Sequence, residues 1–251
     1  MALGHDGGRS PWVLAADLPT GDCRSPAAGT DLSACDLSRA KLAGRDLRVA
    51  SFAGAKLENT DFRKARLDQA DFRRSNAKWA NFTGSHMATA DLRDADLFRA
   101  IFDDADLSDV RFGGAYLFGS NLINAKARRA DFAGAYLKDI LMERIDLSGR
   151  SIKGCYTFRG VLAGAKLVGT DLSGADPTGA AAESVDLSGA RLQGTRLLGA
   201  TLRQAIFADA DMDGADLANA DVRNASFDRA RDRPPSVQDA PVEPFVVRDR
   251  R

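Results

Sequence analysis

The sequence predicts an all-β solenoid, a chain wound into square coils that stack along one axis, and two observations lead to this fold class. From Leu32 to Phe227 every fifth position repeats in one unbroken register, which makes forty consecutive five-residue units. Thirty-five of the forty central positions carry Leu, Phe, Met, Ile or Val, and thirty-four of the positions two residues earlier are small. A period of five fits neither a helix nor an alternating strand, so a repeat architecture is indicated.

Four units close one square coil, and stacking the coils places residues twenty positions apart directly above one another. The large apolar residue of each unit points into the coil and the small residue fills the remaining interior, while the other three face water. Coils that pair their backbones stack at about 4.8 Å, the spacing of adjacent strands. Ten such coils therefore form a rod about 48 Å long.

The residue between the small and the central position is most often Asp, as in Ala95-Asp96-Leu97 and Ala215-Asp216-Leu217. This pattern resembles the pentapeptide-repeat family, whose fold is a right-handed quadrilateral parallel β-helix. The resemblance covers about four fifths of the chain. We expect residues 1–29 to form a leader or cap, residues 30–229 to form about ten coils, and residues 230–251 to form a tail.

Both ends of the chain depart from the repeat. An open solenoid end exposes unpaired strand edges and is normally capped, so Trp12 and its neighbours either cover the first coil or belong to a disordered leader. Pro234 and Pro235 end the last coil because paired prolines cannot continue a ladder. The tail around Val242 to Val247 either folds back over the final coil or is disordered.

Within the repeat, Arg45 and Arg150 occupy positions that should be small and buried. An unpaired buried charge is costly, so we expect both to be paired, to reach solvent along their stems, or to lie on bulged corners. The repeat pattern of large central and small preceding residues is also less regular in residues 140–160 and around Pro177, Ala182 and Val185. Register is kept across both stretches, and bulging or a local bend is expected there.

Composition limits the classes of function. Thirty-five basic and thirty-five acidic residues give a net charge of zero, whereas nucleic-acid binders are normally basic. No run of eighteen apolar residues is present, so no membrane span is expected and the prediction is a soluble, cytoplasmic protein. Three cysteines suggest no disulfide framework. Cys35 and Cys155 share an interior column about 29 Å apart, which predicts two small buried thiols, and the state of Cys23 is open.

Candidate catalytic groups are few. His5 and His86 have no second His or Cys at metal-ligand spacing, and the aspartates follow the repeat rather than pairing as an acid and a base. Glycine-rich units such as Asp171-Leu172-Ser173-Gly174 are corners, with no phosphate-binding loop leading into a helix. The sequence therefore predicts no enzyme, no catalytic residues, no metal and no cofactor.

The outward positions contain one unusual surface. All three tyrosines fall in one outward column on successive coils, and three phenylalanines fall in the neighbouring column of the same face. Contiguous exposed apolar patches usually mark interfaces, and Tyr and Phe are enriched in them. The alternative is a surface column that stacks on itself or is covered by a terminal tail. The candidate partner-binding residues are Phe98, Tyr116, Phe118, Tyr136, Tyr156 and Phe158.

Charge is banded along the chain although the net charge is zero. Residues 91–109 carry seven aspartates against Arg93 and Arg99. Such a band is able to steer a charged partner, and a solvated repeat surface explains it equally well. The acidic band consists of Asp91, Asp94, Asp96, Asp103, Asp104, Asp106 and Asp109.

Two functions of different classes follow. The resemblance implies that the rod acts as a dimer that mimics duplex DNA, binds DNA gyrase or topoisomerase IV, and protects them from inhibitors, as in antibiotic resistance or self-immunity. Neutral charge and the lack of a helical carboxy-terminal dimer element disagree with this. The second hypothesis is a rigid interaction scaffold that uses the aromatic residues to bind another protein or a second copy of itself. Neither hypothesis involves direct binding of nucleic acid or a membrane.

Overall fold

The computed structural model describes residues 17–149 and 151–237. Throughout these residues the chain forms a ladder of parallel one-residue bridges that join positions twenty apart, from Asp31 and Ser51 to Asp211 and Arg231. The predicted right-handed quadrilateral β-helix is confirmed. The single complete helix among the described residues is a short 3-10 turn, Pro235–Val237, after the last coil.

A β-turn forms each corner of the square coil. The N–H of the small residue donates to the carbonyl of the central residue three positions earlier, as between Ala65 and Phe62 at 3.0 Å. In every turn from Arg39 to Arg229 the residue two positions after the central one has a φ between 50° and 81°. Positive φ at this point is a feature of type II turns and favours glycine, which explains the many glycines at this position.

Three further N–H groups of each unit link successive coils. The N–H of Leu67 donates to the carbonyl of His86 in the next coil at 2.6 Å, and the N–H of Gln69 donates to the carbonyl of Ala88 at 3.0 Å. In the opposite direction, the N–H of Asp71 donates to Ala50 at 3.0 Å. Hydrogen bonds therefore run along the rod axis and bind each coil to both neighbours.

The repeated aspartate satisfies the fifth N–H group. Asp31 Oδ1 accepts the N–H of Ser33 at 3.0 Å, and Asp171 and Asp186 do the same for the residues two positions later, also at 3.0 Å. Such Asx turns are a local alternative to ladder pairing. Asp precedes the central residue so often because its side chain satisfies the one backbone donor that the ladder leaves over.

The interior is a stack of phenylalanines and leucines. Phe62 and Phe82, twenty residues apart, stack with centroids 5.0 Å apart and planes 4° apart, whereas Phe52 and Phe62 meet edge to face at 5.7 Å. Phe112 and Phe132 stack at 4.5 Å. Both geometries are favourable for aromatic pairs. The prediction that central residues fill the coil is confirmed by their near-complete burial.

Serine and threonine residues in the small interior positions form hydrogen bonds with the backbone of the preceding coil. The hydroxyls of Thr60, Ser120 and Thr195 each donate to a carbonyl twenty-three residues earlier, at 2.7 to 2.8 Å. Arg45, which the sequence places in such a position, is instead exposed and donates to the carbonyl of Pro26 at 3.1 Å. Of the expected outcomes, Arg45 therefore shows the one in which the charged group reaches solvent, and Arg150 lies outside the described residues.

The two weak stretches of the code keep register, as expected, and differ in their defects. Beside the first, the N–H of Arg129 lies 3.5 Å from the carbonyl of Ser148 and that of Phe132 lies 3.3 Å from Ser151, among the longest bonds of the ladder. In the second, Pro177 has no N–H to give to the next coil. Pro177 and Ala182 also line an apolar interior cavity of about 20 Å³.

One expectation about the cysteines is wrong. Cys35 is buried, but it is bonded to Cys23 in a disulfide with Cα atoms 5.4 Å apart, so it is not a free thiol. Cys155 is the buried free thiol, and burial raises its pKa to about 12. Spacing along the interior columns did not reveal the pair because Cys23 lies outside the repeat.

The segment before the first coil pairs with it. Thr20 bridges Asp31, and the N–H of Gly21 donates to the carbonyl of Asp31 at 2.8 Å. At the other end Val237 is buried against the last coil. Trp12 and the tail from Val242 to Val247 lie outside the described residues. Among those that are described, no helix is long and apolar enough to cross a membrane.

The corner geometry predicts different outcomes for two glycines of one face. A Cβ at Gly134 meets nothing within 4 Å, but its φ is 69°; Gly113 has no positive φ, and its nearest contact is 3.6 Å away. Gly134→Ala should therefore lower the free energy of unfolding by about 1 kcal/mol, because a non-glycine residue is strained there. Gly113→Ala should leave it unchanged or raise it slightly. Urea denaturation measures both, and equal losses would contradict the assignment.

The cavity predicts opposite effects at two buried alanines in central positions. Ala182→Val should raise the free energy of unfolding by about 1 kcal/mol, because the added methyl groups fill space that the chain leaves empty. Ala127 is also buried but does not line this cavity. Ala127→Val should lower stability by about 1 to 3 kcal/mol through overpacking. Destabilisation of similar size in both variants would show that the cavity does not accept a side chain.

Candidate functional site

The six aromatic residues singled out in the sequence lie together on one side of four successive coils. We call this surface the aromatic face; it consists of Phe98, Tyr116, Phe118, Tyr136, Tyr156 and Phe158. The five-residue repeat normally gives outward positions to polar groups, yet here two adjacent outward columns hold rings. Tyr116 is 41% and Tyr156 36% exposed, and the other four are half-buried.

The tyrosines form a ladder parallel to the rod axis. Tyr116 and Tyr136 stack with centroids 5.1 Å apart and planes 12° apart, and Tyr136 and Tyr156 stack at 5.4 Å and 23°. The coil spacing dictates this geometry, because the backbones of these residues are bridged to one another. The repeat therefore holds three rings in register without any contact from another element.

The phenylalanine column beside it contains one cation. Phe98 and Phe118 stack at 5.6 Å, and at the next coil Lys138 takes the place of a ring. Its ammonium lies 5.8 Å from the ring centroids of both Phe118 and Phe158. These distances suit cation–π attraction, so the lysine continues the column rather than interrupting it.

Sequence reasoning missed Trp79, which extends the aromatic face by one coil. Its ring is 43% exposed and meets Phe98 edge to face at 5.4 Å. The residue occupies the turn position of the same side, where φ is 55°. The sequence could have revealed Trp79 through its position in the twenty-residue period, because residue 79 lies on the same side of the rod as residues 98 and 118.

Ring orientation limits what the aromatic face is able to bind. The rings stack on one another along the axis, so their faces are largely used within the chain and their edges point outwards. Binding of bases and sugars by stacking needs free ring faces. A ridge of ring edges with tyrosine hydroxyls along it instead suits the packing and hydrogen bonding of a protein surface.

The acidic band is a ring around one coil rather than a patch. Asp91 and Asp94 lie on one side, Asp96 on the aromatic side, Asp103 and Asp104 on the third, and Asp106 and Asp109 on the fourth, as the bridge register requires. The structure therefore does not bring the seven carboxylates together.

Bases pair with several of these carboxylates. Asp91, 4% exposed, lies 2.6 Å from Arg93 and 3.5 Å from Arg111. Asp96 is 3.2 Å from Lys78, and Asp109 binds the guanidinium of Arg129.

Asp103 and two aspartates elsewhere on the rod illustrate how environment sets the pKa. Burial raises the pKa of Asp103, which accepts the N–H of Ile123 at 3.0 Å. Hydrogen bonds from Arg48 and Arg223 lower the pKa of Asp46 and Asp221 to about 2. Asp46 and Asp221 are therefore charged and paired at neutral pH, and the arginine beside each of these two reduces the negative potential of the surface.

The described residues offer little for catalysis. His86 is exposed on an outward position, and no group of three His, Cys, Asp or Glu side chains in residues 17–149 and 151–237 is arranged to hold a metal ion. Two shallow surface grooves of about 420 and 570 Å³ lie near the amino-terminal coils. They are lined by arginines, small residues and single aspartates rather than by a nucleophile and a base.

Comparison with known proteins agrees with the fold. The family model for pentapeptide repeats matches in eight copies over residues 30–69, 50–87, 78–114, 111–149, 161–197 and 195–231. A search of curated proteins gave no significant match.

Several solved structures are similar. HetL, a pentapeptide repeat protein involved in heterocyst differentiation regulation from Nostoc sp. strain PCC 7120, is 29% identical over 78% of this chain and 90% of its own, with a TM-score of 0.42. Full-length QnrB1, a plasmid-mediated fluoroquinolone resistance protein, is 20% identical over 75% and 89%, with a TM-score of 0.32. A protein of the Arabidopsis thaliana thylakoid lumen is 25% identical over 55% and 68%, with a TM-score of 0.19.

Proposed function

Because this chain belongs to the pentapeptide-repeat family, we propose that it acts without catalysis, as a rigid rod whose aromatic face recognises a protein partner. The observation that carries the proposal is the convergence of six rings on one side of four successive coils, where the repeat ordinarily places polar groups. Contiguous exposed apolar surface of this kind usually marks an interface.

Rigidity supports the same function. Each ring of the aromatic face is fixed by its neighbours one coil away, and each backbone is bridged on both sides. A surface that is already ordered loses little conformational entropy on binding. The rings therefore present a preformed set of contacts of the kind that dominates interface energetics.

Protection of DNA gyrase or topoisomerase IV is the second candidate, supported by the family resemblance and by an unbroken rod about 48 Å long. The charge distribution gives it less support, because the acidic band encircles a coil and several of its carboxylates are paired with bases. The disulfide between Cys23 and Cys35 also weighs against it. Disulfides are rare in the cytosol, so the expected cytoplasmic location gains no support from this bond.

Removing two central rings tests the aromatic face. The double variant Tyr136→Ser with Phe118→Ser should lose association with the partner by about 100-fold or more, since each buried interface aromatic contributes about 2 kcal/mol. The measurement is capture from an extract of the source cells, followed by titration of the purified partner. Circular dichroism checks that the variant is folded.

Val168 provides the matched control. It is a large apolar side chain, 39% exposed, on the opposite side of the rod from the aromatic face. Val168→Ser should leave association unchanged. Equal binding by the double variant and the wild type would remove the aromatic face from the proposal.

A supercoiling assay separates the two candidates. With DNA gyrase, ciprofloxacin or albicidin, and micromolar amounts of this protein, the aromatic-face function predicts neither inhibition of the enzyme nor protection from the drug. Dose-dependent protection would favour the topoisomerase candidate instead. The double variant in the same assay then shows whether the aromatic face takes part in that protection.

A further inference from the structure

The arrangement of charges around the aromatic face assigns its partner: we propose that it is a second copy of this chain, packed antiparallel. The inference rests on the proposed function, because the aromatic face must be an interface for it to hold. The twofold axis lies in the plane of the face and crosses the coil formed by residues 110–129, so that Tyr116 and Phe118 each meet their own copies.

Coil spacing fixes which residues then face each other. Residues of one outward column are twenty positions apart in sequence and about 4.8 Å apart along the rod. A twofold axis that lies in the interface and runs across both rods places each column opposite the same column of the second copy. It also reverses the order of the coils. In the tyrosine column, residue 136 faces residue 96, residue 156 faces residue 76, and residues 176 and 196 face residues 56 and 36. The nine coils from residue 30 to residue 209 are all paired.

Opposite charges meet in this register. Lys56 lies opposite Asp176 and Asp36 opposite Arg196. Within one chain these residues form two ion pairs, Lys56 with Asp36 and Arg196 with Asp176, each at 3.7 Å. In both pairs the acid lies one coil before the base, so antiparallel packing reverses one pair against the other and joins them into clusters of four alternating charges. Electrostatic complementarity of this kind favours one partner and one register.

Cations also meet rings and acids nearer the axis. Arg99 faces Asp139, and Lys138 faces Phe98. One coil further out, Arg159 faces Trp79, whose ring is 43% exposed. Because the ring faces are largely used by stacking within the chain, these cations contact the outward ring edges through their aliphatic stems, and the pair of Arg99 with Asp139 supplies the charge complementarity. The face has three outward columns: those of Tyr116, of Phe118 and of the turn residue Gly119. Among the described residues of these columns, no two like charges lie opposite each other in this register.

Shifting the register by one coil creates like-charge contacts. One shift sets Lys56 against Arg196 and Arg99 against Arg159. The other sets Lys78 against Lys138.

A parallel dimer whose twofold axis runs along either aromatic column is disfavoured for the same reason. With the axis along the phenylalanine column, Glu58, Lys78 and Lys138 each lie beside their own copies. Like charges across an interface oppose association, which disfavours these parallel arrangements.

Sedimentation velocity of the full chain over a range of concentrations tests self-association. We expect a species of twice the 26.8 kDa chain mass at high concentration. Arg99→Asp should weaken the dimer about tenfold or more, since it places two carboxylates opposite each other at two symmetric points. Adding Asp139→Arg to Arg99→Asp should recover most of the lost association, because the opposite charges are exchanged across the interface. Asp139→Arg also removes the acid that pairs with Arg159 within the chain at 3.0 Å, so the Asp139→Arg single variant, which should weaken the dimer, serves as the control.

Site-directed crosslinking tests the register. Tyr116→Cys, on the twofold axis, should give a covalent dimer with a short bifunctional maleimide. Tyr156→Cys lies in the same column and is similarly exposed, but its two copies would be about 19 Å apart along the axis and should not crosslink. The native Cys155 thiol is buried and its pKa is raised to about 12, so it contributes no background.

Three results would overturn the inference: a monomer at every concentration, a dimer indifferent to the charge exchange, or crosslinking at residue 156 equal to that at residue 116. A monomeric wild type whose capture of another protein is lost on changing Tyr136 and Phe118 would refute self-association alone and leave the proposed function standing. Loss of neither activity in that double variant would refute both.

Discussion

The coil-to-coil backbone ladder is the constraint on which this molecule depends. Each five-residue unit gives one N–H to its own turn, three to neighbouring coils and, where Asp precedes the central residue, the fifth to that side chain. Backbone donors are satisfied without helices or long strands. Any change of unit length would shift all later central residues out of the interior, which explains why weak stretches of the code keep strict register.

The ladder also turns the outside of the rod into a lattice. Side chains twenty residues apart are held one coil apart, so a chemical preference repeated in the sequence becomes a continuous stripe on the surface. The tyrosine ladder is one such stripe, with stacking at 5.1 and 5.4 Å. Ion pairs between residues twenty apart, such as Arg159 with Asp139 and Arg229 with Asp209, are another. The same geometry serves cohesion along most of the rod and, in the proposed function, recognition where the stripe is aromatic.

A rod that is fixed along its length presents a fixed pattern of side chains on its surface. The aromatic face offers ring edges, hydroxyls and a lysine held between two rings. Further along the tyrosine column lie the ion pairs Asp36–Lys56 and Asp176–Arg196, both with the acid one coil before the base. In the proposed function, the partner matches both the apolar ridge and the order of charges. The acidic residues of one coil, by contrast, are divided among four sides, because consecutive units occupy consecutive walls of the coil. Asp91, Asp96 and Asp109 among them are paired with bases.

The sequence by itself determined the square coil, the interior columns and the common side of the six aromatic residues, because a period of five repeated forty times leaves one geometry that buries the apolar positions. It did not reveal the disulfide between Cys23 and Cys35, since a residue outside the repeat has no phase from which its position follows. The pairing of acidic residues with arginines, the use of Asp as a turn acceptor and the contact of Trp79 with Phe98 were likewise decided by the tertiary structure. The repeat period determines on which side of the coil a side chain lies. The residue that this side chain contacts depends on its length and rotamer, which only three-dimensional packing selects.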